Sequence, residues 1–175
     1  MGGEPETEDQ TACQLMRGAF DAVADRDVDR LRPLWDERTT TVFVALGLEL
    51  TGEPALRTFF DEFFTAVPDL DFTVEAIHGL DGHTAVGQWR VAATFSGGPF
   101  QGIEPTGRPV ELRGVDVMRF DDGMLRRNDV YYDGLAFARQ IGLLPAADSA
   151  TDRAMLATFN ALSRLRRRLR PRSVR

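Results

Sequence analysis

Two aspartates in the second half of the chain have the spacing needed for acid–base chemistry. The dipeptide Asp122-Gly123 separates two runs of alternating apolar and polar residues, which is typical of a hairpin with a two-residue turn. Extending that pairing along both strands sets Asp116 opposite Asp129 on one face. This face is the more apolar, so we expect it to point inward. Two carboxylates this close disfavour double ionisation, and a carboxyl whose pKa is raised in this way can serve as a general acid or base near neutral pH.

The same pairing brings other polar and apolar side chains to the inner face. Tyr131 would lie beside Asp129, where it could donate a hydrogen bond to a carbonyl or pack in the core with its hydroxyl satisfied. Met118 would face a substrate from the neighbouring strand. A three-residue turn with a bulge would instead shift the register by one residue and point one aspartate outward. The sequence is compatible with both registers.

An arginine on the preceding strand could complete the site. Arg90 shares one face of its strand with Gln88 and Thr94. Its guanidinium donates in a fixed fork that suits an aspartate or a substrate oxyanion. The alternative is a structural ion pair with Asp116 or Asp129. Gln88, on the same face, is a candidate substrate ligand.

Hydrophobic periodicity predicts helices first and a run of strands afterwards. Apolar residues at helical spacing indicate helices over residues 8–24, 28–36 and 56–67, and alternation indicates strands over residues 39–46, 72–79, 84–95, 108–120 and 124–132. This order is typical of an α+β domain whose helices cover one face of an antiparallel sheet. The third helix carries a stripe of phenylalanines. Of these, Phe60, Phe63 and Phe64 are predicted to line an apolar pocket, with Trp35 near its mouth.

Length and composition are those of an ordinary globular protein. The 175 residues divide into a predicted disordered arm at residues 1–10, a folded domain at residues 11–145 and a C-terminal segment at residues 146–175. The polar, acidic N-terminus is unlike a signal peptide and no apolar run is long enough to cross a bilayer, so a cytoplasmic location is predicted. One cysteine and two histidines give no metal-site pattern, and the absence of lysine excludes a lysine Schiff base. We therefore expect neither a metal nor a cofactor.

Charge divides the chain at residue 145. Residues 1–145 hold 13 arginines against 25 acidic residues, a net charge of −12, whereas residues 146–175 hold 8 against 2, a net charge of +6. Apolar residues recur at helical spacing from Met155 to Leu169, which predicts a basic amphipathic helix. We favour its docking on the acidic body or on a dimer mate over contact with an anionic membrane. Nucleic acid is not an expected partner, because no recognisable reader fold accompanies the charge.

Three stretches of the chain resemble one known family. The segment PFQGIEPTGRPVELRGVDVMRF, the closing RQIGLLP and the VPDL at residues 67–70 are similar to motifs of the SnoaL-like polyketide cyclases, and the resemblance covers roughly residues 12–145. It implies a nuclear transport factor 2-like fold, in which a cone-shaped, strongly curved antiparallel sheet is closed by N-terminal helices around a deep apolar pocket. It also implies a homodimer through the outer face of the sheet. The same fold hosts ketosteroid isomerase, limonene epoxide hydrolase and non-catalytic binders, so the fold does not fix the reaction.

The resemblance suggests a role for one aspartate. SnoaL-like cyclases use an aspartate on the last strand as general acid and base in an intramolecular aldol closure, and Asp129 is the residue that fits this position. The family's E-H-W triplet is replaced here by Arg127-Asn128-Asp129, and its G-T-H by Thr94-Phe95-Ser96. No histidine is therefore available to share the proton transfer.

A second comparison leads to the predicted function. Relative to limonene epoxide hydrolase, Arg90 resembles the pocket arginine, but the position of the second aspartate falls on Ala92, and Asp116 could replace it in space. We predict a cofactor-independent cyclase or isomerase acting on an apolar polyketide- or terpenoid-like substrate. Asp129 would move a proton and Asp116 would share or tune it. Arg90 and Tyr131 would stabilise the developing oxyanion. Epoxide hydrolysis, epoxide-opening ether formation and a non-catalytic binding or dimerising module remain the alternatives.

Overall fold

The computed structural model describes residues 8–169 and shows an α+β fold built on one curved, open sheet. The strands are β1 (Thr40–Phe43), β2 (Leu48–Thr51), β3 (Asp71–Asp81), β4 (Thr84–Phe95), β5 (Arg108–Asp121) and β6 (Met124–Tyr132). They lie in the order β2-β1-β6-β5-β4-β3. All neighbouring strands are antiparallel except β1 and β6, which are parallel. The predicted fold class is confirmed.

The helices pack on one side of the sheet or follow it in the chain. They are α1 (Glu8–Ala24), α2 (Val28–Leu31), α3 (Glu53–Ala66), α4 (Gly134–Gln140) and α5 (Ala150–Leu169). Helix α2 is shorter than predicted and passes into a 3-10 turn at Arg32–Leu34, because Pro33 has no backbone N–H to continue an α-helix. Of the predicted N-terminal arm, residues 1–7 lie outside the described residues, and residues 8–10 already belong to α1.

The segment predicted as one strand at residues 39–46 is divided in the structure. Strand β1 ends at Phe43, and a 3-10 turn at Val44–Leu46 follows. Gly47 then adopts a left-handed conformation with φ 61°, which reverses the chain into β2. The sequence did not predict β2, because its four residues are too few to show a clear alternation.

Packing of α1 and α3 against the sheet depends on close approaches. A Cβ at Gly87 on β4 would overlap the ring of Phe20 and crowd Met16, so this glycine lets α1 lie against the strand. On the other side, Phe59 of α3 stacks on Phe43 of β1 with ring centroids 4.1 Å apart. Residues of both helices and of the inner face of the sheet line one apolar space.

The β5–β6 hairpin begins in the predicted register and then changes it. Asp122 and Gly123 have φ values of 50° and 73°, as a two-residue type I′ turn requires, and Phe120 pairs with Leu125. The register then shifts by one, so that Asp116 pairs with Val130 and not with Asp129. The predicted pairing of the two aspartates is therefore wrong. The turn has two residues as predicted, and the register shifts at a bulge further along β6 and not at a three-residue turn.

Contacts from outside and inside the hairpin hold the extra residue of this bulge, Arg126. The Arg126 guanidinium donates to Asp36 at 2.6 Å and lies 3.5 Å from Asp121. The buried hydroxyl of Thr39 donates to the carbonyl of Leu125 at 2.8 Å. Because side chains alternate along a strand, one inserted residue exchanges the two faces of β6 beyond it.

Helix α5 does not pack its apolar face on the domain. The side chains of Met155, Leu156, Phe159, Leu162 and Leu165 are between 42% and 65% exposed. Near the start of the helix, a carboxylate oxygen of the buried Asp152 lies 3.6 Å from the guanidinium of Arg139, which forms an ion pair with the domain. The expected docking of this helix on the chain's own acidic body is therefore absent over the described residues. No helix in the described part of the chain is long and apolar enough to cross a membrane.

Candidate active site

A cavity of about 150 Å³ lies between the inner face of the sheet and helices α1, α3 and α4. Its wall consists mostly of phenylalanine, leucine, valine and alanine side chains. Six of the lining residues have a nitrogen or oxygen atom in the side chain, and these are Trp35, Thr41, Trp89, Asp116, Asn128 and Tyr132. Among the lining residues, Asp116 has the only carboxyl group. This combination of an apolar wall and a few convergent polar groups is typical of a small-molecule site.

Asp116 is buried in this wall and held by two donors. Its side chain is on the inner face of β5, and the residue is only 6% exposed. The indole Nε1–H of Trp89 donates to one carboxylate oxygen at 2.7 Å, and the Nδ2 amide of Asn128 donates to the other at 2.7 Å. Burial raises the pKa of Asp116 to about 6, although both hydrogen bonds act to lower it. A carboxyl with this pKa can exchange protons in both directions near neutral pH.

Gly114 makes the contact between Trp89 and Asp116 possible. It lies directly opposite Trp89 in the β4–β5 pairing, on the same inner face as Asp116. A Cβ at this position would overlap the indole ring. The ring therefore lies over a glycine and extends along β5 to reach the carboxylate two residues further on.

Tyr132 supplies a phenol to the same cavity. Burial raises the pKa of Tyr132 to about 12, so its hydroxyl stays protonated at neutral pH and can donate a hydrogen bond. Its ring packs near Trp89 and edge-on to Phe137, with centroid distances of 6.5 and 6.3 Å. The bulge at Arg126 is what places Tyr132 inward, since it follows Asn128 and Val130 on the same face of β6.

The structure distributes the predicted substrate-binding residues between the cavity and other surfaces. Trp35, Phe60, Phe63 and Met118 line the cavity, and Trp35 is buried in its wall with its ring stacked on Phe60 at 5.6 Å. Phe64 is turned away from the cavity, toward a polar surface cleft beside α2.

Three of the predicted catalytic residues lie outside the cavity. They are Asp129 and Tyr131 on β6 and Arg90 on β4. Asp129 lies on the outer face of the sheet and accepts two hydrogen bonds from Arg127, at 2.9 and 2.7 Å. Tyr131 is on the same outer face and is 48% exposed. Both face outward because the bulge shifts the register of β6 by one residue.

Arg90 and Gln88 also point away from the cavity. They are exposed on the outer face of β4, where Arg90 is opposite Arg113. The prediction that Arg90 holds an aspartate or a substrate oxyanion in the site is wrong, because the apolar column of β4 that contains Trp89 and Val91 takes the inner face. The alternative ion pair of Arg90 with Asp116 is absent for the same reason.

Trp89, Asn128 and Tyr132 are the site residues that the sequence reasoning missed. Trp89 is in the middle of an alternating apolar column, which marks it as inward-facing but not as a hydrogen-bond donor to a carboxylate. Asn128 occupies the position of the histidine in the family's E-H-W triplet. This correspondence could have indicated that its polar side chain points inward. Among the described residues, no group of three or more histidine, cysteine or acidic side chains is arranged to hold a metal ion.

Comparisons with known proteins agree with this architecture. The sheet order, the covering helices and the enclosed apolar cavity define a nuclear transport factor 2-like domain. The family model of the SnoaL-like polyketide cyclases matches residues 14–141. The chain belongs to this family, whose relatives are of the small-molecule cyclase and isomerase kind.

Solved structures with the same fold include several kinds of protein. A candidate SnoaL-like polyketide cyclase from Jannaschia sp. CCS1 superposes with a TM-score of 0.69 and 22% identity, covering 83% of this chain and 99% of its own. AclR from Streptomyces galilaeus, a candidate hydroxylase, superposes with a TM-score of 0.65 and 21% identity, covering 87% of this chain and 94% of its own. A candidate ketosteroid isomerase from Kribbella flavida superposes with a TM-score of 0.56 and 19% identity, covering 72% of this chain and 80% of its own. Identities this low establish the shared fold alone, and no curated protein is detectably similar to the chain.

Proposed function

We propose that the protein is a cofactor-independent cyclase or isomerase in which Asp116 moves a proton on an apolar substrate. One observation carries the proposal: a single buried carboxyl, with its pKa raised to about 6, faces a mostly apolar cavity. Structural ion pairs also perturb pKa values, but Asp116 has no cationic partner among the described residues. Its only described hydrogen-bond partners are Trp89 and Asn128.

The geometry supports proton abstraction next to a carbonyl. Each oxygen of Asp116 accepts one hydrogen bond and keeps a second lone pair, so the carboxylate is oriented but still able to take a proton. The proton leaves a carbon next to the substrate carbonyl and an enolate forms. The phenol of Tyr132 can donate to the enolate oxygen, the role that the sequence had suggested for Tyr131.

Two outcomes follow from the same enolate. In an isomerase, Asp116 returns the proton to a different carbon of the substrate. In a cyclase, the enolate carbon attacks a second carbonyl of the same molecule, and Asp116 gives the proton to the alkoxide that forms. Both sequences leave Asp116 as a carboxylate, ready for the next turnover.

The cavity limits the reacting part of the substrate. A dry apolar cavity of about 150 Å³ is known to admit benzene, so the space here suits one ring or a comparable chain segment. The rest of a larger polyketide- or terpenoid-like molecule would remain outside this space. Epoxide opening as predicted from the sequence used Asp129 to hold the attacking water, and the outward position of Asp129 leaves that version without support.

Hydrogen–deuterium exchange can test the proposal without knowledge of the natural substrate. The probe is 1-indanone in D₂O, and mass spectrometry follows deuterium uptake next to its carbonyl. We expect exchange above the buffer rate with the wild-type protein, and at least a hundredfold loss of that excess in Asp116→Asn. The matched control is Asp129→Asn, which removes a carboxylate from the outer face and should exchange at the wild-type rate. Equal rates in wild type and Asp116→Asn, or loss in Asp129→Asn alone, would contradict the proposal.

A further inference from the structure

The amide of Asn128 is only half satisfied. The residue is 6% exposed and lines the cavity, and its Nδ2 donates to Asp116 at 2.7 Å. Its Oδ1 is buried and has no hydrogen-bond partner among the described residues. Buried acceptors are normally paired, because an unpaired one has lost its water without compensation.

The orientation of this amide follows from its neighbour. A carboxylate can only accept hydrogen bonds, so the edge of Asn128 that faces ionised Asp116 must be the NH₂ edge. The other carboxylate oxygen already accepts from Trp89. The Oδ1 atom must therefore point away from Asp116.

The immediate neighbours do not use this acceptor. On the inner face, Asn128 is flanked by Met118 of β5 and Thr41 of β1. Met118 has no donor. Thr41 carries a hydroxyl, but no hydrogen bond from it to Oδ1 is formed. The acceptor is thus unpaired within the described part of the chain, in a residue that lines the cavity.

We propose that Asn128 Oδ1 is a subsite for a hydroxyl group of the substrate, so that the preferred substrates carry an alcohol or enol O–H beside the atom that exchanges its proton with Asp116. This inference rests on the proposed function, since it takes the cavity to be the substrate site. A carbonyl oxygen at the same place would face Oδ1 acceptor to acceptor and be disfavoured. The subsite therefore also determines which way round a substrate with both groups binds.

Three size-matched ligands separate donor, acceptor and apolar binding. They are 1-indanol, 1-indanone and 1-methylindane. Binding is measured by quenching of tryptophan fluorescence, because Trp35 and Trp89 both line the cavity. The titrations are run at pH 8, where Asp116 is ionised. The variant is Asn128→Leu, which keeps the approximate shape of the side chain, and the control is Thr41→Val, which removes the neighbouring hydroxyl.

The measured quantity is the ratio of the affinities for 1-indanol and 1-methylindane. We expect this ratio to fall on the order of three- to tenfold in Asn128→Leu and to stay unchanged in Thr41→Val. The affinity for 1-indanone should not fall with it. Retained binding of 1-methylindane shows that the variant cavity is intact. An unchanged ratio in Asn128→Leu, an equal fall in Thr41→Val, or an equal loss for ketone and alcohol would overturn the subsite.

Failure of this inference is distinguishable from failure of the proposed function. Neither 1-indanol nor 1-methylindane has a C–H group next to a carbonyl, so their binding does not depend on proton transfer by Asp116. An unchanged ratio together with normal deuterium exchange would remove only the subsite. A lowered ratio in Asn128→Leu without deuterium exchange by the wild-type protein would keep the hydroxyl subsite and remove the catalytic proposal.

Discussion

Trp89 and Asp116 are joined across two strands by a hydrogen bond of 2.7 Å from the indole nitrogen to a carboxylate oxygen. The bond restrains the carboxylate and lowers its pKa, in opposition to the burial that raises it. Asp116 is therefore held at a pKa where it is mostly ionised at neutral pH and can still be protonated during a reaction.

The exchange reaction should depend on pH through Asp116. Only the carboxylate form can take a proton, so the rate of 1-indanone exchange, corrected for buffer, should rise with pH and level off above an apparent pKa of about 6. The measurement is a pH series from 4.5 to 8.5, with Asp129→Asn as the control that keeps the same profile. A rate that is already level across the whole series, as expected for the ordinary aspartate pKa of 3.8, would show that Asp116 with its raised pKa is not the base.

Stability should depend on pH in the opposite sense. The folded-state pKa of Asp116 lies above its unfolded value, so the folded protein binds the proton more tightly, and this contribution to stability is lost as pH rises through about 6. At pH 8 the buried charge costs roughly 3 kcal/mol relative to the protonated form. Asp116→Asn should therefore gain stability over wild type at pH 8 and gain much less at pH 4.5. Urea unfolding at the two pH values measures this, and an equal effect at both would contradict it.

Gly114→Ala should disturb the site through Trp89. The new methyl group would displace the indole ring, which we expect to cost about 1–3 kcal/mol of stability and to remove the donor to Asp116. Loss of that donor raises the pKa of Asp116, so the exchange profile should move to higher pH. The control is Gly18→Ala on α1, where no neighbouring atom lies within 4 Å and the substitution should be neutral or stabilising. Trp89→Phe should shift the profile in the same direction as Gly114→Ala, and an unshifted profile in both would contradict the role of the indole.

Thr39 should be needed for the bulge. Its hydroxyl is fully buried and donates to the carbonyl of Leu125, so Thr39→Val leaves that carbonyl without this partner and should cost about 1–3 kcal/mol. The adjacent Thr40, which bonds Thr51 at the edge of the sheet, gives a matched control, and Thr40→Val should cost less than 1 kcal/mol. Thermal unfolding of both variants makes the comparison. Equal losses would show that the Thr39 hydroxyl has no special part.

Most of α5 should be dispensable for the fold and the site. The described ion pair between this helix and the domain involves Asp152, while the apolar side chains from Met155 onward are exposed. Deletion of residues 154–175 should therefore leave the thermal midpoint and the exchange rate close to those of the full chain. Size-exclusion chromatography of the two proteins would show whether the apolar face contributes to self-association. A large loss of exchange activity would mean that the helix completes the cavity.

Local patterns in the sequence were enough to predict most of the elements. Helical spacing located α1 and α3, and alternation located the four long strands of the meander. The cap of α2 is equally local, because Asp27 accepts from the backbone N–H groups of Asp29 and Arg30. These features depend on neighbours in sequence, which periodicity reads directly.

The composition of the site was only partly predictable, because it depends on a contact between distant residues. Asp116 and Met118 were placed correctly on the inner face. The face of β6 depends on Arg126, whose partner Asp36 is 90 residues away in the chain. No local pattern marks such a contact, and the strong Asp122-Gly123 turn signal favours the unbulged register. The error placed Asp129 and Tyr131, which follow the bulge, on the wrong face.

The bulge at Arg126 also has an evolutionary consequence. Deletion of one codon at this position would exchange the two faces of β6 beyond Leu125 without any substitution. Asp129 and Tyr131 would then enter the cavity, and Asn128 and Tyr132 would leave it. The chain therefore carries a second set of reactive side chains that a single deletion could bring into use, so relatives with different chemistry could differ by the length of this hairpin before they differ in any catalytic residue.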